Sequence, residues 1–77
     1  MIHHLKCDEG PFLSIQSGHK KFEYRENDRD YDTGDLLHLT TPRGDDCWLQ
    51  VTYILRGGLY GVPPGYCVMS IEQAEQP

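Results

Sequence analysis

Short runs of apolar and β-branched residues, separated by turn-forming residues, recur along the 77-residue chain. Runs of this length and composition predict β-strands and not long helices. The strongest run extends from Cys47 to Leu55 and is rich in aromatic and β-branched side chains. The predicted strands are residues 2–6, 20–25, 36–41, 47–55 and 66–71.

One short helix is predicted between the first two strands. Asp8 is suited to begin this helix, and Gly18 is suited to end it because glycine adopts a positive φ without strain. Phe12 and Ile15 lie three residues apart and give the helix one apolar face. A helix of only two turns must be stabilised by packing against the rest of the domain.

The remaining segments are loops and a polar end. Residues 56–65 contain four glycines and two prolines, which is typical of an ordered loop. Residues 72–77 are polar and are predicted to be frayed. The chain therefore forms a single domain, residues 1–77, with an α+β and mainly β fold. Closing about five strands into a small β-barrel, with the helix across one end, would hide the edges of the sheet.

The charge of the chain is distributed unevenly. The net charge is −5, yet residues 1–29 are balanced and the excess of acids lies in residues 30–77. A broad basic surface for nucleic acid is therefore excluded, and any such affinity must come from a local pocket. No apolar run approaches the roughly 18 residues of a membrane span, and no apolar signal-peptide core follows Met1. The predicted location is cytoplasmic.

The cysteines and histidines do not form a recognisable metal motif. Cys7, Cys47 and Cys67 are odd in number and widely spaced, so buried free thiols in a reducing compartment are predicted. The spacing of His3, His4 and Cys7 does not fit a closed zinc site. His19 and His38 are isolated in the sequence. We predict no metal and no other cofactor.

The segment GHKKFEYRENDRD, residues 18–30, contains four of the seven cations of the chain. On a strand, Glu23 and Arg25 share one face, opposite Phe22 and Tyr24. They could form an ordinary exposed ion pair, worth about 0.2–1 kcal/mol. They could instead line a pocket in which the guanidinium fork binds a phosphate. Lys20 could be a solvated lysine or could reach into the same pocket.

Four residues of this segment carry a resemblance to a known group. Gly18, Lys20, Glu23 and Arg25 occupy the fixed positions of the G-x-K-x-x-E-x-R signature of the ASCH group in the PUA-like superfamily. The segments HHLK, NDRDYDTGD, VTYILRGG and YGVPPGYCVMSI also resemble a compact bacterial and phage family within that group. The resemblance extends from His3 to Ile71.

The resemblance implies a PUA-like, ASCH-like β-barrel whose cleft is lined by Lys20, Glu23 and Arg25. Relatives in the superfamily bind RNA or single modified nucleotides, so RNA or a nucleotide is the expected ligand. The residues expected to assist are His3, Lys6 and Arg29. Tyr60 and Tyr66 could stack on a base or could be ordinary aromatics at the rim of the barrel.

Two alternative functions remain open. Some ASCH proteins resemble amidohydrolases that cleave an acyl group from a cytosine nucleoside such as acetylcytidine, and their lysine corresponds to Lys20. Glu23 stands where those enzymes have a threonine, so the hydroxyl nucleophile is missing; if catalysis occurs, Lys20 and Glu23 would carry it. The other alternative is a phage-type accessory protein whose acidic half docks on a host protein. The oligomeric state is not predicted.

Two further expectations concern the packing of single side chains. Trp48 is most simply a core residue. Arg29 lies between Asp28 and Asp30, and these carboxylates are expected to hold it in a turn.

Overall fold

A computed structural model describes every residue from Met1 to Pro77. It contains one short helix and five strands, which confirms the predicted α+β, mainly β fold. In chain order the elements are β1 (Ile2–Lys6), α1 (Glu9–Gln16), β2 (Phe22–Glu26), β3 (Leu36–Thr40), β4 (Asp46–Arg56) and β5 (Tyr66–Ala74).

The five strands form a single sheet in the order β1-β3-β4-β5-β2. Only β1 and β3 are parallel, and every other neighbouring pair is antiparallel. The sheet curls into a half-barrel in which β1 and β2 are the two edges. Because α1 follows β1 and precedes β2, the helix carries the chain from one edge of the sheet to the other.

The concave side of the sheet holds the hydrophobic core. Leu37, Leu39 and Leu49 are almost completely buried, and α1 contributes Phe12 and Ile15 from its apolar face, as predicted. Such burial stabilises a domain by about 1.5–3 kcal/mol for each large aliphatic or aromatic side chain. No helix has the length and apolar character that crossing a membrane requires.

The three cysteines are free and buried, as predicted from their number and spacing. Burial raises the pKa of the Cys7 and Cys67 thiols, and it raises the pKa of Cys47 to about 11. These thiols therefore pack as small apolar side chains.

Trp48 is not a core residue, and that prediction is wrong. Alternation along β4 turns Cys47 and Leu49 inward, so the indole of Trp48 lies on the convex face. Its ring stacks on the imidazole of His38, with the ring centroids 4.3 Å apart.

The predicted frayed end is also partly wrong, because β5 continues to Ala74. Glu72, Gln73 and Ala74 pair with Gln50, Leu49 and Trp48 of β4. The first residues of β4 supply a hydrogen-bonding partner that the polar composition of this segment does not reveal.

The edge strand β2 turns its charged face inward and its aromatic face outward. Phe22 and Tyr24 are 48% and 49% exposed, whereas Glu23 between them is only 3% exposed. An edge strand of a half-open barrel has one face toward the concave interior, and here that face is ionic. This orientation places the signature residues inside a cleft.

Candidate functional site: a charged cleft between the edge strands

A cleft of about 930 Å³ lies between the two edge strands, and the loops after β2 and β3 complete its walls. Most of the residues that line it are polar or charged, and they include equal numbers of cationic and acidic side chains. The cations are Lys6, Lys20, Arg25 and Arg29, and the acids are Asp8, Glu23, Glu26 and Asp28.

Glu23 organises the floor of this cleft. Its Oε1 accepts a hydrogen bond from Nζ of Lys20 at 2.8 Å, and its Oε2 accepts one from Nε of Arg25 at 2.8 Å. A buried carboxylate is tolerated only when it is paired and hydrogen-bonded, and these two cations satisfy both of its oxygens. The three side chains together carry one excess positive charge beside the open volume.

The local sequence explains how Lys20 reaches Glu23. Gly18 adopts φ +83° at the end of α1, where its N–H donates to the carbonyl of Ile15 at 3.0 Å. The N–H of Lys20 donates to the carbonyl of Ser14 at 2.9 Å. This turn folds the chain back over the helix end and places Lys20 just before β2, three residues before Glu23.

Arg25 also contacts the opposite edge of the sheet. Its Nη2 donates to the backbone carbonyl of Lys6 at 3.0 Å. A guanidinium has five N–H donors, so Arg25 retains free donors after bonding Glu23 and Lys6. Lys20 likewise retains N–H donors beyond the one that binds Glu23. These remaining donors can bind an anion in the cleft.

Tyr31 is a lining residue that sequence reasoning missed. The turn before it is fixed by Asn27, whose Oδ1 accepts from the N–H of Tyr31 at 3.0 Å, and by Asp30 at φ 52°. Tyr31 is 1% exposed, and burial raises the pKa of its phenol although Arg25 and Arg29 oppose that effect. The one available signal was an aromatic residue directly after a run of turn-forming residues.

Arg29 and Lys6 line the cleft, and both are exposed. Neither side chain takes part in a salt bridge. The expectation that Asp28 and Asp30 hold Arg29 is therefore wrong, because the turn is fixed by Asn27 instead. Both cations remain available to a ligand.

His3 lies outside the cleft, contrary to the expectation that it assists there. Alternation along β1 turns His3 into the core, where its Nε2 lies 2.8 Å from Oδ2 of Asp35 and its ring packs edge-on against Tyr31. Burial acts to raise the pKa of Asp35. Hydrogen bonds from His3, from the N–H of Asp32 and from the amino group of Met1 outweigh burial and lower that pKa.

Tyr60 and Tyr66 do not line the cleft either. Tyr66 stacks on Tyr24, which borders the cleft, with the ring centroids 5.5 Å apart and the planes at 18°. Tyr60 is 85% exposed at the tip of the loop between β4 and β5. Alternation along β5 turns Cys67 inward and therefore Tyr66 outward.

The cleft lies within a recognisable family domain. Residues 2–71 match the family described as Domain of unknown function (DUF3850). The chain belongs to this family. Every residue that lines the cleft falls inside the matched range, so the cleft is part of the DUF3850 domain itself. A comparison with curated proteins finds no match.

The DUF3850 cleft contains two fixed cations, Lys20 and Arg25, that keep N–H donors beyond those bonded to Glu23. No group of three or more His, Cys, Asp or Glu side chains is arranged to hold a metal ion. Thr40 and Thr41 supply hydroxyls to the wall opposite β2. Guanidinium, ammonium and hydroxyl donors around one hollow suit a phosphate with a polar group attached to it.

Proposed function

We propose that the cleft binds a nucleotide or a short single-stranded RNA segment. The observation that carries this proposal is the buried Glu23 carboxylate, which holds Lys20 and Arg25 at 2.8 Å each beside an open cleft. Pre-positioned cations lose little side-chain freedom on binding, so more of their interaction energy appears as affinity. Arg25 and Lys20 bind the phosphate, and Lys6 and Arg29 bind from the rim.

The size of the cleft and the net charge of the chain favour a ligand small enough to be bound within one pocket. A volume of about 930 Å³ is within the usual range of roughly 300–1,000 Å³ for small-molecule sites. The chain carries a net charge of −5, which disfavours long-range attraction to an extended nucleic acid. Binding through one pocket reconciles this charge with a phosphate-containing ligand.

We also propose that the DUF3850 domain is an ASCH-type member of the PUA-like superfamily. The support is the G-x-K-x-x-E-x-R signature at Gly18, Lys20, Glu23 and Arg25 together with a helix between the first two strands of a half-barrel. A nucleotide ligand and a cytoplasmic location, where free thiols persist, are consistent with this assignment.

The test is an NMR titration of the chain with cytidine, with cytidine monophosphate and with a short single-stranded RNA. We expect amide shifts within residues 18–31, and a monophosphate that binds about tenfold more tightly than the nucleoside. Arg29→Ala and Arg25→Lys should both weaken the monophosphate. Lys21→Ala is the matched control, because Lys21 does not line the cleft. No shift in residues 18–31 at millimolar ligand would end the proposal.

An amidohydrolase that acts on an acylated cytosine nucleoside is the alternative enzyme function. Both oxygens of Glu23 already accept hydrogen bonds from Lys20 and Arg25, which makes Glu23 a positioning group rather than a free base. We therefore propose binding without turnover. Release of acetate from acetylcytidine by the wild-type chain, lost in Lys20→Ala, would favour the enzyme instead.

One observation supports the other alternative, in which the chain docks on a host protein. Phe22, Tyr24, Tyr53 and Tyr66 are exposed on the convex side of β2, β4 and β5. Exposed aromatic clusters are enriched at protein interfaces. Recovery of one defined protein partner that is lost in Tyr53→Ser, with no nucleotide effect in the cleft, would favour this function.

A further inference from the structure

Two histidines meet on the convex surface of the sheet, outside the Glu23 cluster. His4 on β1 and His38 on β3 are direct partners in the parallel register of these strands. Their Nδ1 atoms lie 3.0 Å apart. Separated by 34 residues in the chain, they are joined only by the pairing of β1 with β3.

The ring of His38 is held in one orientation by two other residues. Its Nε2 donates a hydrogen bond to Oδ2 of Asp46 at 2.7 Å, which leaves the lone pair of Nδ1 directed at His4. The indole of Trp48 stacks on the same imidazole at an interplanar angle of 10°. A carboxylate on the far nitrogen of a histidine is the usual arrangement around metal-binding histidines.

We propose that His4 and His38 bind one divalent late transition metal ion between their Nδ1 atoms. With metal–nitrogen bonds of about 2.0–2.1 Å, nitrogens 3.0 Å apart subtend about 94° at the metal. That angle fits adjacent positions of a square-planar or octahedral centre, the geometry of Cu²⁺ and Ni²⁺. Without metal, one hydrogen occupies the position between the rings, and the metal ion takes its place.

The site has two protein ligands, and the remaining positions are open. No third metal-ligating side chain joins the pair, and Asp46 is engaged with the far nitrogen of His38. Water or a chelating ligand therefore completes the coordination. Asp46 acts as a positioning residue. His4 also borders the cleft, but His38, Asp46 and Trp48 do not, and the site uses no residue of the Glu23 cluster.

The chain contains its own reporter for this ion. Trp48 is the only tryptophan and stacks on one of the two ligands. We would titrate the full chain with the Cu²⁺ complex of iminodiacetate, which leaves adjacent coordination positions free for two imidazoles. The expected result is quenching of Trp48 fluorescence that saturates at one equivalent.

Histidine variants test whether His4 and His38 are the metal ligands. His4→Ala and His38→Ala should each weaken the Cu²⁺ complex at least about tenfold, and His19→Ala should leave it unchanged because His19 contacts Ser17 elsewhere. His4 is exposed, so His4→Ala keeps the test valid even if His38→Ala impairs folding. Equal quenching in wild type and His4→Ala would overturn the proposal.

Two further measurements separate this pair from adventitious binding. Asp46→Asn should weaken the complex by about 10–100-fold while the stoichiometry stays at one, and unchanged affinity would exclude an orienting role for Asp46. Zn²⁺ titration followed by ¹⁵N NMR of the imidazoles should shift Nδ1 of His4 and His38. Shifts confined to His3 or His19 would place the ion elsewhere and refute the site.

Discussion

Arg25 on β2 donates a hydrogen bond to the backbone carbonyl of Lys6 on β1 at 3.0 Å, although these strands are the opposite edges of the sheet. The same guanidinium donates to Glu23 through Nε. One side chain therefore spans the open side of the half-barrel and also forms part of the cleft. Arg25 links the stability of the fold to the architecture of the candidate site.

We expect Arg25→Ala to lower the free energy of unfolding by about 1–3 kcal/mol, because it removes two hydrogen bonds and leaves Glu23 with one cation. Arg25→Lys should lose less, since an ammonium can still bind Glu23. Urea unfolding followed by far-ultraviolet circular dichroism measures both. Lys21→Ala is the control and should change stability by less than about 0.5 kcal/mol. An Arg25→Ala variant as stable as the control would refute the bridging role.

Acid should weaken the fold through Asp35. Its pKa in the folded chain lies below the unfolded value of about 3.9, so its contribution is complete above that pH and is lost as the pH falls through the folded pKa. We expect Asp35→Ala to be less stable than wild type by about 1–3 kcal/mol at pH 6. Urea titrations from pH 6 to pH 2.5 should show this difference shrinking; a constant difference contradicts the assignment.

The buried thiols should resist alkylation while the chain is folded. With a pKa of about 11, Cys47 has only about one thiolate per thousand molecules at pH 8, and its side chain is shielded from reagent. We expect iodoacetamide to modify all three cysteines rapidly in concentrated urea and very slowly in buffer. Mass spectrometry of the quenched reaction counts the labels, and fast native labelling of Cys47 would contradict this packing.

Two glycine substitutions should have opposite effects. A Cβ at Gly57 would overlap the carbonyl oxygen of Pro63 and lie 2.7 Å from that of Tyr66, both backbone atoms, so Gly57→Ala should destabilise by about 1–3 kcal/mol. Gly10 lies in α1, and an added Cβ would meet no atom within 4 Å beyond its chain neighbours and the backbone of its own helix, so Gly10→Ala should stabilise by up to about 1 kcal/mol. Thermal unfolding compares them, and shifts of the same sign would disprove the packing argument.

The sequence specified the elements well because each depends on local patterning. Alternation through 20–25 correctly separated Glu23 and Arg25 from Phe22 and Tyr24. It could not tell which face is concave, since an aromatic face is ordinarily the buried one. The same ambiguity led to the wrong prediction for Trp48, whose neighbours Cys47 and Leu49 are smaller but face the core.

Features that depend on pairing between distant strands could not be read from local patterns. His38 looked isolated because its partners lie on other strands, and His4 meets it only through the β1–β3 register. The resemblance carried by the HHLK segment groups His3 with the cleft residues, whereas its partner Asp35 belongs to a distant turn. Tyr31 enters the cleft through a turn whose backbone conformation composition alone does not determine.

The two edge strands, β1 and β2, face each other across the open side of the half-barrel. A ligand that contacts Lys6 on one edge strand and Arg25 on the other would bridge the open side of the half-barrel. Because any ligand that binds only the folded chain raises its free energy of unfolding, binding across the two edges and the stability of the fold are thermodynamically linked. A melting curve of this small domain is therefore also a screen for ligands of the cleft.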